Sequence, residues 1–293
     1  MTFTFRSLFS SLIVLCLLVS KSTVAEIDET SPSEHGGIIS IDGALTEIVY
    51  ALGAQDRLLA VDTTSRYPQA ATELPQVGYM RQLSAEGILS LHPELVIASK
   101  EAGPEMVFEQ LMAAGIKVVR IDAPSSLEGV LLKVKQVAEV LGLENNGAIL
   151  TEKIQSETEA ILSDIAGEKS PSTLFLLGAS GRGLMAAGQD TKAQALMDML
   201  NIQNAFAHQG YKPVSAEGAL LAAPEVVLVG HTGPADTVSV KQTLAMTPAS
   251  NNNQIHAIDV GLALGFGPRI AEALAMLKPL VYTEQDMSQV AVE

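Results

Sequence analysis

Residues 84–99 read Ser-Ala-Glu-Gly-Ile-Leu-Ser-Leu-His-Pro-Glu-Leu-Val-Ile-Ala-Ser, and residues 215–230 read Ser-Ala-Glu-Gly-Ala-Leu-Leu-Ala-Ala-Pro-Glu-Val-Val-Leu-Val-Gly. Eight of these 16 positions are identical without a gap. Each copy opens with a Ser suited to capping a short helix and a Glu in the first turn, where the helix dipole favours an anion. Proline disfavours the α region for the residue before it, so the helix ends there. The apolar run that follows reads as a buried strand. Convergence of helix–Pro–strand units accounts for the apolar spacing but not for the shared Ser-Ala-Glu-Gly. The two copies therefore read as corresponding units of two pseudo-symmetric lobes.

The flanking sequence fits this reading. Residues 37–41, 58–61, 95–98 and 117–121 are short apolar strands. Between them Leu45, Ile48, Val49 and Leu52 recur at helical spacing before Gly53, and residues 106–114 form a helix closed by Gly115. From Ser126 the pattern is helical. One helix runs from Leu127 to Leu141, Gly142 and Asn145-Asn146-Gly147 interrupt, and a second runs from Ile149 to Ile165. Strands return at 173–177, 226–229 and 255–258. The expected class is α/β: two Rossmann-like lobes with central parallel sheets, joined by a long rigid helix. The expected boundaries are a leader at 1–25, an N-terminal lobe at 36–124, a helical segment including the inter-lobe helix at 125–168, and a C-terminal lobe at 170–293.

Composition narrows the function. With 47% hydrophobic and 17% charged residues, the 293-residue chain is too apolar for disorder. A net charge of −15 leaves no basic face for nucleic acid. One Cys excludes an internal disulfide framework and a Cys-based zinc site. The five His form no metalloprotease signature, and Gly178-Ala179-Ser180-Gly181-Arg182-Gly183 is neither a phosphate loop nor a nucleophile elbow. No convergent nucleophile, base and orienting acid is visible, so an enzyme is not expected. Residues 1–25 carry Arg6, an apolar run from Leu8 to Val19, and Thr23 and Ala25 before Glu26, the pattern of a cleaved signal peptide. An uncleaved anchor is the alternative. Leu15 stands where a small residue would precede a lipidated Cys16. Cleavage leaves 16 basic residues against 33 acidic ones, a net charge of −17.

Upstream of each repeat copy lies a Gly-Tyr pair followed by a cation: Gly78-Tyr79-Met80-Arg81 and Gly210-Tyr211-Lys212-Pro213. Together with the leader, the repeats and the connecting helix, these resemble the helical-backbone (class III) periplasmic substrate-binding proteins of ABC importers for vitamin B12, siderophores and haem. Val77-Gly78-Tyr79-Met80-Arg81-Gln82-Leu83-Ser84-Ala85-Glu86-Gly87 is similar to the haem-binding members. So are Ala186-Ala187-Gly188-Gln189-Asp190-Thr191, Gln209 to Glu217, and Gly265-Phe266-Gly267-Pro268-Arg269.

The resemblance implies that Tyr79 is the axial ligand of haem iron. A phenolate is a hard donor suited to ferric iron, and Arg81 would favour that form. Haem b also carries two propionates, for which Lys212, Arg66, Arg182 and Arg269 are expected contacts, in that order. Met80, Met185 and Tyr211 either pack on the porphyrin or belong to the core, and His208 is a possible second ligand. The resemblance further implies that Glu86 and Glu217, 131 residues apart, bind a symmetric permease dimer. The expected protein is a periplasmic monomer that captures haem between its lobes and hands it to an inner-membrane importer. Vitamin B12 or a ferric siderophore is the alternative ligand.

Overall fold

The computed structural model describes residues 37–165, 170–179, 183–231 and 237–282; the side chains of 179 and 237–239 are not described. The leader and Arg182 lie outside these residues. The N-terminal lobe contains β1 (Ile38–Ile41), α1 (Gly43–Ala51), β2 (Leu58–Val61), α2 (Ala85–Leu89), β3 (Leu95–Ser99), α3 (Glu105–Ala113) and β4 (Lys117–Ile121). Helices α4 (Leu127–Leu141) and α5 (Glu144–Ser163) follow. The C-terminal lobe contains β5 (Ser172–Ala179), β6 (Gly183–Ala187), α6 (Lys192–Met199), β7 (Gln203–Asn204), β8 (Tyr211–Pro213), α7 (Ala216–Ala222), β9 (Val226–His231), α8 (Thr237–Leu244), α9 (Pro248–Asn251), β10 (Ile255–Asp259), α10 (Val260–Leu264) and α11 (Ile270–Val281).

The first sheet is wholly parallel, in the order β2-β1-β3-β4. The second runs β10-β9-β5-β6-β8, with β7 also on β5. Its β5, β9 and β10 are parallel, as expected, but β6 runs antiparallel to its neighbours β5 and β8, so the second sheet is mixed rather than wholly parallel. Only three residues separate β5 from β6, and a parallel crossover needs a dozen or more. The segment between the lobes contains the two expected helices, α4 and the 20-residue α5, packed against each other. Asn145-Asn146-Gly147 does not interrupt it but forms the first turn of α5. There Gly147 lets the helices touch, since a Cβ would sit 2.5 Å from the Cβ of Ala138. Asn146 Nδ2 donates to the Leu52 carbonyl at the end of α1 (3.1 Å).

The repeat is real at the level of single backbone angles. His92 and Ala223, both before the Pro, take left-handed φ of 48° and 44°. In each copy the next Glu donates its N–H to the start of the central strand, Glu94 to Gly37 O (3.0 Å) and Glu225 to Ser172 O (2.7 Å). Gly78 and Gly210 both have positive φ, 99° and 68°. The helix caps differ. Ser215 Oγ accepts from Gly218 N (3.1 Å), whereas Ser84 makes no side-chain cap.

Strand alternation divides the core. Ile38, Leu95, Ile97, Phe175, Val226 and Leu228 point into one apolar cluster. That cluster also takes Val130, Val134 and Val137 of α4 and Leu274 and Leu277 of α11, so it runs through both lobes. The opposite faces form a separate cluster in each lobe. From α4, Lys133 Nζ donates to Phe266 O of the C-terminal lobe (2.9 Å). A Cβ on Gly267 would lie 3.3 Å from Cα of Ala44, so only a small residue fits where the lobes meet.

Candidate functional site

The loops at the carboxyl ends of the strands carry the chemistry, as in open α/β sheets generally. Tyr79 stands in a turn closed by Gln82 N to Tyr79 O (2.8 Å) and is 41% exposed, while Met80 is buried in the N-terminal core. Gly103 N donates to Met80 O (2.8 Å) and Leu83 N to Gly103 O (3.1 Å), which ties this turn to the loop after β3. From that loop Glu101 reaches Arg81, with Nη2 to Oε2 at 2.7 Å. The other carboxylate oxygen of Glu101, Oε1, meets Nζ of Lys192, the first residue of α6 in the C-terminal lobe, at 3.1 Å.

Tyr211 converges on the same helix start. Its half-buried phenol lies close to Thr191 and Ala193, the residues on either side of Lys192. Burial pushes this phenol above its ordinary pKa, against the opposing influence of those two neighbours. The Gly-Tyr loops of the two lobes are therefore joined through Arg81, Glu101 and Lys192. Lys212, next to Tyr211, is exposed on the short strand β8, paired with Ala186 of β6.

Behind this junction lies Asp42, at the carboxyl end of β1. Its φ of 123° is rarely adopted outside glycine. It is held by Asp42 N to Asp62 Oδ1 (2.9 Å) and Ala44 N to Asp42 Oδ1 (2.8 Å). Desolvation raises the Asp42 carboxyl pKa, while Lys192 and Lys133 oppose the rise. The Lys133 ammonium is pushed down by burial. Buried Asp62 also accepts from Thr64 N (3.0 Å) and Ser65 Oγ (3.0 Å), fixing the loop that leads to exposed Arg66.

Two expected ligand groups are engaged within the protein. Arg269 holds Glu47 of the N-terminal lobe with both arms, Nη2 to Oε1 at 2.6 Å and Nε to Oε2 at 3.0 Å. Its plane stacks on Tyr67 at 3.6 Å. Its fork is thus spent joining the lobes, beside a groove of about 410 Å³ lined by Tyr50, Tyr67, Lys153 and Glu157 among others. His208 sets Nε2 3.2 Å from Ala186 O and packs edge-on against Phe206. Glu86 and Glu217 are both exposed in the first turns of α2 and α7, on corresponding faces of the repeat.

Sequence reading missed Glu101, Lys192, Lys133 and Asp42. A signal existed for two of them. Glu101 is the second residue after a strand, at its carboxyl end, and Lys192 directly follows the Ala186–Thr191 motif.

Residues 38–260 match the periplasmic binding protein family, and the chain belongs to that family. It resembles the periplasmic haem-binding protein BhuT, solved with two haems, at 36% identity and a TM-score of 0.77, over 84% of this chain and 97% of that one. It also resembles the periplasmic haem-binding protein HutB of Vibrio cholerae, at 35% identity and a TM-score of 0.73, over 84% and 98%. A vitamin B12-binding protein of Pectobacterium carotovorum subsp. carotovorum is 26% identical over 70% of this chain and 74% of its own length. These relatives are solute-binding proteins, not enzymes.

Proposed function

We propose that this protein binds haem in the periplasm and delivers it to an ABC importer. Tyr79 is the axial ligand of the ferric iron, and the positive charge of Arg81, two residues on in the sequence, favours its phenolate form. The observation that carries this reading is the exposed phenol of Tyr79, on a turn tied to the β3 loop and flanked by a cation two residues on. Tyr211, half-buried at the start of α6, supports the opposite lobe, and burial favours its protonated phenol. Lys212 and Arg66, both exposed at the surface, are the residues assigned to the propionates. Similarity to haem-binding relatives above 30% identity favours haem over vitamin B12, whose binder here is the more distant relative. A corrinoid ligand has no need of a phenolate at this position.

The test is optical. Hemin added to the purified protein is expected to give the high-spin ferric bands of a phenolate complex, and Tyr79→Ala to lose them. An unchanged spectrum in that variant would overturn the ligand assignment, and no hemin complex in the native chain would overturn the reading as a whole.

A further inference from the structure

The Arg81–Glu101–Lys192 bridge has the geometry of a filled binding site. One cation comes from each lobe, and both converge on a single carboxylate, one per oxygen, at 2.7 and 3.1 Å. That carboxylate belongs to the protein itself. Glu101 is partly solvent-exposed, so it is free to leave without baring a buried charge. Partial burial pushes its carboxyl up, but Lys192 and Arg81 outweigh this and hold it below the usual carboxylate range, so at neutral pH it is an anion between two cations.

The loop that presents Glu101 is held on both sides. Arg120 Nη2 donates to the carbonyls of Lys100 (2.9 Å) and Ala102 (2.8 Å), the residues flanking it. The same guanidinium pairs with Glu105 (2.8 Å) and lies 3.8 Å over the Phe108 ring. Only the Glu101 side chain is left to move.

We infer that Arg81 and Lys192 form a two-lobe clamp for a ligand carboxylate, and that Glu101 occupies it until the ligand arrives. Incoming carboxylate takes the two cations, and the Glu101 side chain turns out to solvent. The exchange preserves charge pairing on both lobes, so the clamp need not open widely. This rests on the haem reading, in which the carboxylate is one of the two propionates, and it makes Lys192 a ligand residue and Glu101 an internal competitor.

Hemin and hemin dimethyl ester, whose carboxylates are blocked, separate the possibilities when titrated into native protein, Lys192→Gln and Glu101→Gln. Loss of one charge-assisted contact lowers hemin affinity about tenfold in Lys192→Gln and leaves the ester unaffected. Removing the competitor tightens hemin about two- to fivefold in Glu101→Gln, since an exposed ion pair is worth about 1 kcal/mol or less. Equal losses for hemin and ester in Lys192→Gln would mean a structural role and overturn the clamp. So would native hemin affinity in Lys192→Gln, or weaker hemin binding in Glu101→Gln. If native protein binds the ester but the variants leave hemin affinity untouched, the clamp fails alone. If it binds neither porphyrin, the haem reading fails and takes the clamp with it.

Discussion

Tyr79 and Tyr211 occupy corresponding places in the repeat, yet their surroundings give them different chemistry. Tyr211 is half-buried at the start of α6, and burial favours its neutral phenol. Tyr79 is exposed, two residues before Arg81, and its phenol is open to solvent. Glu86 and Glu217 keep their correspondence, since both remain exposed, each in the first turn of a short helix. If they bind the two halves of a permease dimer, replacing both with Ala should slow haem delivery to vesicles holding the permease by about tenfold, in line with losing exposed to half-buried ion pairs. Delivery at the native rate, with hemin binding measured alongside as control, would remove them from the docking surface.

At the scale of elements, helix caps give a sharp contrast. Ser215 caps α7 through its hydroxyl, whereas Ser84 contributes none to α2. Ser215→Ala should therefore lower stability by about 1 kcal/mol and Ser84→Ala by clearly less. Urea unfolding midpoints of the two variants would show the difference, and equal losses would contradict it. Here lies the boundary of what the sequence reveals. Identical Ser-Ala-Glu-Gly motifs announce two equivalent helix starts, and hydrophobic spacing marks the parallel strands, because both signals are local. The antiparallel pairing of β6 with β5 and β8 escapes notice, since strand direction depends on what pairs with what. The break expected at Asn145-Asn146-Gly147 fails for a similar reason: the glycine serves a contact with α4 that only packing reveals. Tyr79, Arg81 and Lys212 stand out within motifs. Glu101 and Lys192 do not, because their meaning arises when two lobes bring them together.

For the whole molecule, the joining contacts limit motion. Gly267 lies against Ala44, Arg269 grips Glu47, Lys133 reaches the Phe266 carbonyl, and an apolar cluster continues beneath. Ligand capture should proceed by side-chain exchange and a small lobe adjustment rather than wide hinge bending. Solution scattering with and without hemin is expected to show nearly the same radius of gyration; a contraction as large as that of wide hinge-closing binders would refute limited closure.

The continuous cluster also bears on how the chain acquires its structure. By sequence the lobes are two units, and by symmetry they are nearly copies, but their inner sheet faces share one body of apolar side chains. Neither half has a complete interior of its own. A cut between β4 and β5 would divide this cluster, with Ile38, Leu95 and Ile97 on one side and Phe175 and Leu228 on the other. The duplication that is plain in the sequence has thus become energetically indivisible: the two halves must fold, and fail, together.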